Sequence, residues 1–127
     1  MSRFFADTFY FLALLNQADA AHHKTVEYSK SIDKLVTSEW VLTEVADGLA
    51  VSRHRSQLLQ LRQELLADRD VKIVPLDMQT HQLGIDLYAS RSDKEWSLTD
   101  CISFVIIGRE GIREALTGDH HLSLIHI

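Results

Sequence analysis

Near the start of the chain stands Arg3-Phe4-Phe5-Ala6-Asp7-Thr8, the stretch from which the fold can be worked out. Its first four residues, Arg3–Ala6, are predicted to form a short β-strand, and an apolar helix is predicted from about Phe9 to Leu15. A strand that ends at an acidic residue and passes directly into a helix is typical of an α/β unit.

The same alternation of strand and helix continues along the chain. The predicted strands are Arg3–Ala6, Leu35–Thr37, Val71–Pro75 and Glu114–Thr117, and the predicted helices are Phe9–Leu15, Ala20–Ser31, Glu39–Val51, Gln57–Ala67, Met78–Ser90 and a last one from Ser97 or Thr99 to about Glu110. The residues Ser52–Ser56 are predicted to form a basic turn between two of these helices. The order predicts an α/β fold with a central parallel sheet of about four strands, flanked by helices on both faces.

Length and composition narrow the functional classes. A chain of 127 residues fits a single domain, 1–127. The formal net charge of −5 does not favour a protein that coats nucleic acid, because phosphate contacts need basic residues. The single cysteine, Cys101, excludes an internal disulfide and favours a reducing cytoplasm. No apolar run is long enough to span a bilayer, so we expect a cytoplasmic protein with no membrane role.

Four acidic residues fall where ligands bind in a parallel sheet, beyond the carboxyl ends of the strands. Asp7 follows the first predicted strand and Asp119 follows the last, while Asp100 lies in the first turn of the central helix. Glu44 flanks the buried stripe of the third helix. Carboxylates in one pocket raise one another's pKa, a cost that a bound divalent cation offsets. Oxygen ligands without paired histidines favour Mg²⁺ or Mn²⁺ over zinc.

Other interpretations of these acids stay open at this point. Taken singly, Asp100 also suits a helix cap, and Glu44 also suits a solvated helix surface. A phosphotransfer receiver domain is a third possibility, but it needs an acidic pair before the strand-end aspartate and a lysine late in the chain, and neither is found.

Short motifs surround the same four acids. They are Phe5-Ala6-Asp7-Thr8, Thr43-Glu44-Val45-Ala46-Asp47, Trp96-Ser97-Leu98-Thr99-Asp100-Cys101-Ile102 and Leu116-Thr117-Gly118-Asp119-His120-His121. In order, spacing and secondary-structure context the set resembles the PIN-domain family, in particular VapC-type ribonuclease toxins of toxin–antitoxin systems. The resemblance implies a PIN-like fold and a Mg²⁺- or Mn²⁺-dependent endoribonuclease that hydrolyses RNA phosphodiesters with a metal-activated water.

The resemblance also implies roles for single residues and for partners. The residues that it makes catalytic and metal-binding are Asp7, Glu44, Asp100 and Asp119. Thr8 and Thr117 would hold these carboxylates or a water from behind. The implied partners are an RNA substrate, a small cognate antitoxin that covers the acidic groove, and a second copy of the chain in a homodimer. The alternative is a catalytically impaired PIN-fold module that binds an antitoxin or RNA.

The end of the sequence departs from the family pattern. After His121 the family continues with an aromatic residue, a turn containing glycine and one more strand, whereas residues 122–127 show no such turn. We therefore expect residues 122–127 to be an atypical, truncated or foreign tail, with a frayed or edge strand as the simplest structure there.

A few basic residues are candidates for RNA contacts. Arg53 and Arg55 belong to the predicted basic turn, and Lys94 precedes the third acidic motif. For the basic turn a solvated loop is the favoured alternative, because short basic clusters are common. Trp96 is open to two interpretations, a ring on which a base stacks or a ring that packs its loop onto the domain.

Overall fold

Strands and helices alternate through most of the chain. The computed structural model describes residues 3–50, 52–117 and 120–123. In chain order the elements are β1 (Arg3–Ala6), α1 (Thr8–Leu15), α2 (His22–Ser29), β2 (Lys34–Ser38), α3 (Glu39–Gly48), α4 (Ser52–Ala67), β3 (Val71–Val74), α5 (Met78–Ser90), α6 (Leu98–Glu110), β4 (Glu114–Thr117) and β5 (His120–Ser123). No helix within these ranges is both long enough and apolar enough to cross a membrane.

Within the described residues the sheet has the strand order β3-β2-β1-β4-β5. β1 lies at its centre and pairs in parallel with β2 and β4, and β2 pairs in parallel with β3. The predicted parallel sheet of about four strands is therefore confirmed. β5 adds an antiparallel edge strand beside β4. It includes the first two residues of the segment 122–127, and the rest of that segment lies outside the described residues.

Helices cover both faces of this sheet. Phe5 and Ala6 are neighbours in β1 and are only 1% and 0% exposed. Because successive residues of a strand point to opposite faces, both faces of the central strand are buried. The four consecutive residues Leu35–Ser38 of β2 are buried in the same way. Such continuous burial is expected of a parallel sheet between two layers of helices.

Most helix boundaries follow from capping residues. Asp7, Ser38, Asp77 and Ser97 each accept a hydrogen bond from a backbone N–H in the first turn of the helix that follows. For the last helix this selects Ser97 over Thr99 as the cap. Gly111 ends the same helix in the left-handed conformation, with a φ of 66°.

The predicted basic turn is wrong. Residues Ser52–Ser56 form the first part of α4, which extends without interruption to Ala67. These five residues contain no glycine or proline, so nothing in them stops a helix, and their charged side chains are compatible with an exposed helical surface.

A close crossing of α5 and α6 fixes the helix that carries Asp100. A Cβ atom added to Gly84 would lie 2.3 Å from Cγ1 and 3.1 Å from Cα of Ile102. Ile102 is fully buried, so it has no room to move aside. The two helices can therefore approach this closely only because residue 84 has no side chain.

Candidate active site

Hydrogen bonds to a neighbouring strand and to the following helix hold Asp7 in place. Its backbone N–H donates to the carbonyl of Leu116 in β4 (N–O 3.2 Å), and its Oδ1 accepts from the N–H of Tyr10 in α1 (3.0 Å). The fully buried Thr37 of β2 donates its hydroxyl to the carbonyl of Ala6, directly before Asp7 (2.9 Å). The strands β1, β2 and β4 are thus hydrogen-bonded to one another next to Asp7. The role of Thr37 had no signal in the sequence beyond its place at the end of a strand.

The ionised form of the Asp7 carboxyl group is electrostatically unfavourable. Its pKa is raised from 3.8 to about 6. Burial is the largest cause, the nearby carboxylates of Asp100 and Glu44 add to it, and the hydrogen bonds from the backbone N–H groups of Tyr10 and Phe9 act in the opposite direction. The electrostatic contributions show that three of the four predicted acids act on one another. The loss of hydration on burial is the larger cause.

Asp100 has the capping role that the sequence left open, and its role as a metal ligand stays a prediction. Its backbone N–H donates to Oγ of Ser97, and its Oδ2 accepts from the backbone N–H of Ser97, each at 3.0 Å. This reciprocal capping box begins α6. The cap also fixes the direction of the Asp100 carboxylate, which raises the pKa of Asp7 across the site.

The structure describes the side chains of only some of the remaining predicted site residues. Glu44 is half-buried on α3, next to the fully buried Val45, and Thr8 is buried at the start of α1. Asp119 lies outside the described residues, as does the side chain of Thr117 at the end of β4. The roles expected of Asp119 and Thr117 stay predictions.

The described carboxylates match a hard divalent cation in chemistry. Among the described residues, no group of three or more His, Cys, Asp or Glu side chains is arranged to hold a metal ion. The donors are nevertheless all carboxylate oxygens, and their mutual repulsion is the kind that a cation relieves. A carboxylate offers about four lone-pair positions, so the capping hydrogen bonds of Asp7 and Asp100 leave acceptor capacity for an ion.

The structure offers no protein nucleophile in Cys101, the residue after Asp100. Cys101 is buried, and burial and the neighbouring Asp100 raise the pKa of its thiol. A protonated, buried thiol is inert.

The candidate RNA-binding residues lie on different elements. Arg55 is exposed on α4 and donates from Nε to the carbonyl of Ala50 (3.0 Å), while the side chain of Arg53 lies outside the described residues. Lys94 lies above the ring of Trp96, with Nζ 6.0 Å from its centroid. Trp96 packs edge-to-face on Phe104 of α6, with ring centroids 4.9 Å apart, so it does pack its loop onto the domain.

Known proteins provide an independent comparison. No curated protein sequence matches the chain. The fold is similar to the crystal structure of VapC20 from Mycobacterium tuberculosis, a toxin that cleaves the sarcin–ricin loop, with a TM-score of 0.80 and 21% identity over 91% of this chain and 88% of that one. It is also similar to DNA-bound VapBC from Salmonella typhimurium, with a TM-score of 0.58 and 16% identity over 88% and 83%.

The sequence itself matches the PIN domain family over residues 4–126. The match includes both ends of the parallel sheet and every acid discussed above. With the alternating elements and the strand order already described, it means that the chain belongs to the PIN domain family.

Proposed function

We propose that this chain is a Mg²⁺- or Mn²⁺-dependent endoribonuclease and the toxin of a toxin–antitoxin pair. The observation that carries the proposal is the placement of Asp7 directly after β1 and of Asp100 in the first turn of α6, near enough to each other and to Glu44 for their charges to interact. A buried carboxylate placed among other carboxylates costs stability, and such arrangements concentrate at functional sites. Membership of the PIN family supports a nuclease in particular.

The proposed metal ligands are Asp7, Glu44, Asp100 and Asp119. When bound, a divalent cation supplies charge neutralisation for the phosphodiester and a lower pKa for the attacking water. The chain's own contribution is to hold the ligands in a fixed orientation. With a pKa of about 6, Asp7 is mostly ionised at pH 7, and the N–H of Tyr10 orients it. Ser97 orients Asp100 in the same way through the capping box.

The substrate and partners are proposed from the related folds. The likeness to VapC20, which cleaves the sarcin–ricin loop, supports RNA as the substrate class. The likeness to VapBC supports a small antitoxin as partner. We expect a homodimer, as in the family, and a cytoplasmic location, which suits the free thiol of Cys101.

The test is cleavage of a structured RNA by the purified protein. Cleavage should require Mg²⁺ or Mn²⁺ and stop with a chelator, and Asp7→Asn or Asp100→Asn should abolish it while the circular dichroism spectrum stays that of the folded protein. Cleavage that survives both substitutions would contradict the metal mechanism.

A binding module without catalysis is the second candidate. One observation favours it: the described residues, which do not include Asp119, contain no group of three or more His, Cys, Asp or Glu side chains that could hold a metal ion. Undetectable cleavage by a protein that still binds RNA or an antitoxin with high affinity would decide for it.

A further inference from the structure

A cavity of about 590 Å³ lies between the end of α5 and the start of α6, beside the acidic site. We call it the α5–α6 cavity. Its lining includes two aromatic rings, two cations and two serine hydroxyls, from Tyr88, Trp96, Arg91, Lys94, Ser92 and Ser97. The volume falls within the range of small-molecule sites, about 300–1,000 Å³. The cavity is therefore large enough for a nucleotide and is lined by groups that bind one.

The cations of the cavity are arranged around a single ring. The guanidinium of Arg91 lies 5.2 Å from the centroid of Trp96, and Nζ of Lys94 lies 6.0 Å from it. The Nε and Nη2 groups of Arg91 donate to the carboxylate of Asp93, at 3.0 and 3.2 Å, which orients the guanidinium. Trp96 in turn rests on Phe104. The positive charge is thus held at a defined place beside an aromatic surface.

Ser97 connects this cavity to the acids. It lines the cavity, and its backbone N–H donates to Oδ2 of Asp100. Ser97 therefore belongs both to the lining of the cavity and to the hydrogen-bonded cap that holds Asp100.

We propose that the α5–α6 cavity binds one nucleotide of the RNA strand, next to the phosphodiester that is cut. Its base stacks on Tyr88, which is 53% exposed, or on the accessible part of Trp96, and its phosphate contacts Lys94 and Arg91. That this strand is a substrate rests on the proposed ribonuclease function. The sequence indicated Lys94 but not Arg91 or Tyr88, because nothing in a linear pattern shows that the end of one helix and the next loop enclose a cavity.

The acids nearby limit how much phosphate the cavity can attract. Glu95 also lines it, and Asp93 neutralises Arg91. Two cations and two carboxylates favour one phosphate with a stacked base over a run of phosphates. We therefore expect a preference for single-stranded RNA over a duplex.

Binding can be measured without cleavage, because the chain has only two tryptophans. In Trp40→Phe the fluorescence reports on Trp96 alone. A short single-stranded oligouridylate, titrated in the presence of a chelator, should quench this signal to saturation. In the same background Lys94→Glu should weaken binding about fivefold to tenfold at low salt and reduce the slope of log K against log salt by about 0.7, the value for one phosphate contact. The matched control is Lys24→Glu, an equal charge change on the exposed surface of α2, which should alter the affinity less than twofold.

The possible outcomes separate this proposal from the ribonuclease itself. Equal effects of Lys94→Glu and Lys24→Glu, or RNA binding by anisotropy without quenching of Trp96, would overturn the cavity as a nucleotide site. Quenching by an acidic peptide but not by RNA would overturn it too, in favour of a protein partner. Saturable quenching with the expected charge effect would support it even in a protein that cuts no RNA, in which case only the ribonuclease proposal fails.

Discussion

Two carboxylates at opposite ends of the parallel sheet lie in opposite electrostatic environments. Asp7, at the carboxyl end of β1, is buried near Asp100 and Glu44, and its pKa is raised to about 6. Glu110 lies at the end of α6, where Lys72 of β3 and Arg3 at the start of β1 both contact it, at 2.8 and 3.3 Å.

The two environments shift the pKa in opposite directions. The hydrogen bond from Lys72, with the charges of Lys72 and Arg3, holds the pKa of Glu110 below its usual value. Glu110 therefore contributes to stability when it is ionised, whereas Asp7 reduces stability when it is ionised. A carboxylate that is buried without a cation needs another reason to be there, and at Asp7 the reason that we propose is the metal ion.

The largest expected difference between the two ends is in catalysis. Asp7→Asn should reduce RNA cleavage by at least ~100-fold, because it removes a charged ligand at the reacting phosphate. Glu110→Gln should leave cleavage within about twofold of the wild-type rate, because it lies outside the proposed site. Single-turnover cleavage of one labelled RNA, with both variants at equal concentration, measures this, and similar losses in both would remove the distinction between the two ends.

The next largest difference between the two ends should be in metal binding. Mg²⁺ at about 100 times its Kd should raise the free energy of unfolding of the wild type by about 2.7 kcal/mol, because only the folded protein presents the site. Glu110→Gln should show the same gain, and Asp7→Asn should show little of it. Thermal unfolding with and without Mg²⁺ gives the values without any RNA. A full Mg²⁺ effect in Asp7→Asn would mean that the ion binds elsewhere.

The sequence predicted the Asp7 end better than the Glu110 end, for a physical reason. Asp7 follows a strand and Asp100 begins a helix, and the carboxyl edge of a parallel sheet brings such positions together whatever the details of packing. The pairing of Glu110 with Arg3 joins residues 107 positions apart, and that with Lys72 joins residues 38 apart. Those contacts depend on where side chains reach after folding, and no periodicity in the sequence encodes them.

Two further features fall outside what the sequence pattern could give. Residues Ser52–Ser56 were expected to form a turn because they are basic, but charge does not end a helix, and they belong to α4. The size of the shift at Asp7 depends on how deeply its carboxyl group is buried, which follows from three strands meeting there. The position of Asp7 and the direction of its pKa shift were therefore predictable, and the dominant contribution of burial was not.

The pH dependence of stability should also differ in sign. Because the folded pKa of Asp7 lies above its unfolded value of 3.8, its contribution to stability is complete below about pH 4 and is lost as the pH rises through 6. Without metal, Asp7→Asn should therefore be more stable than the wild type at pH 7.5, by about 1–3 kcal/mol, and should lose this advantage near pH 4. Asparagine retains the helix cap, so the substitution leaves α1 intact. Urea denaturation in the presence of a chelator at both pH values measures the difference. A variant that is less stable than the wild type at pH 7.5 would show that ionised Asp7 does not destabilise the fold.

The smallest expected effect is at Glu110, and its sign is the opposite. The folded pKa of Glu110 is lowered, so the stability that it gives is present above its unfolded pKa of 4.5 and is lost as the pH falls. Glu110→Gln should reduce the free energy of unfolding by about 0.5–1.5 kcal/mol at pH 7.5, since Lys72 and Arg3 are partly exposed and water screens both ion pairs. The reduction should shrink at acid pH, where Asp7→Asn loses its advantage as well, and it should also shrink at high salt. If Glu110→Gln reduced the free energy of unfolding as much at pH 4 as at pH 7.5, the reduction would come from packing and not from charge. The contrast between a neutralised and an unneutralised carboxylate would then rest on Asp7 alone.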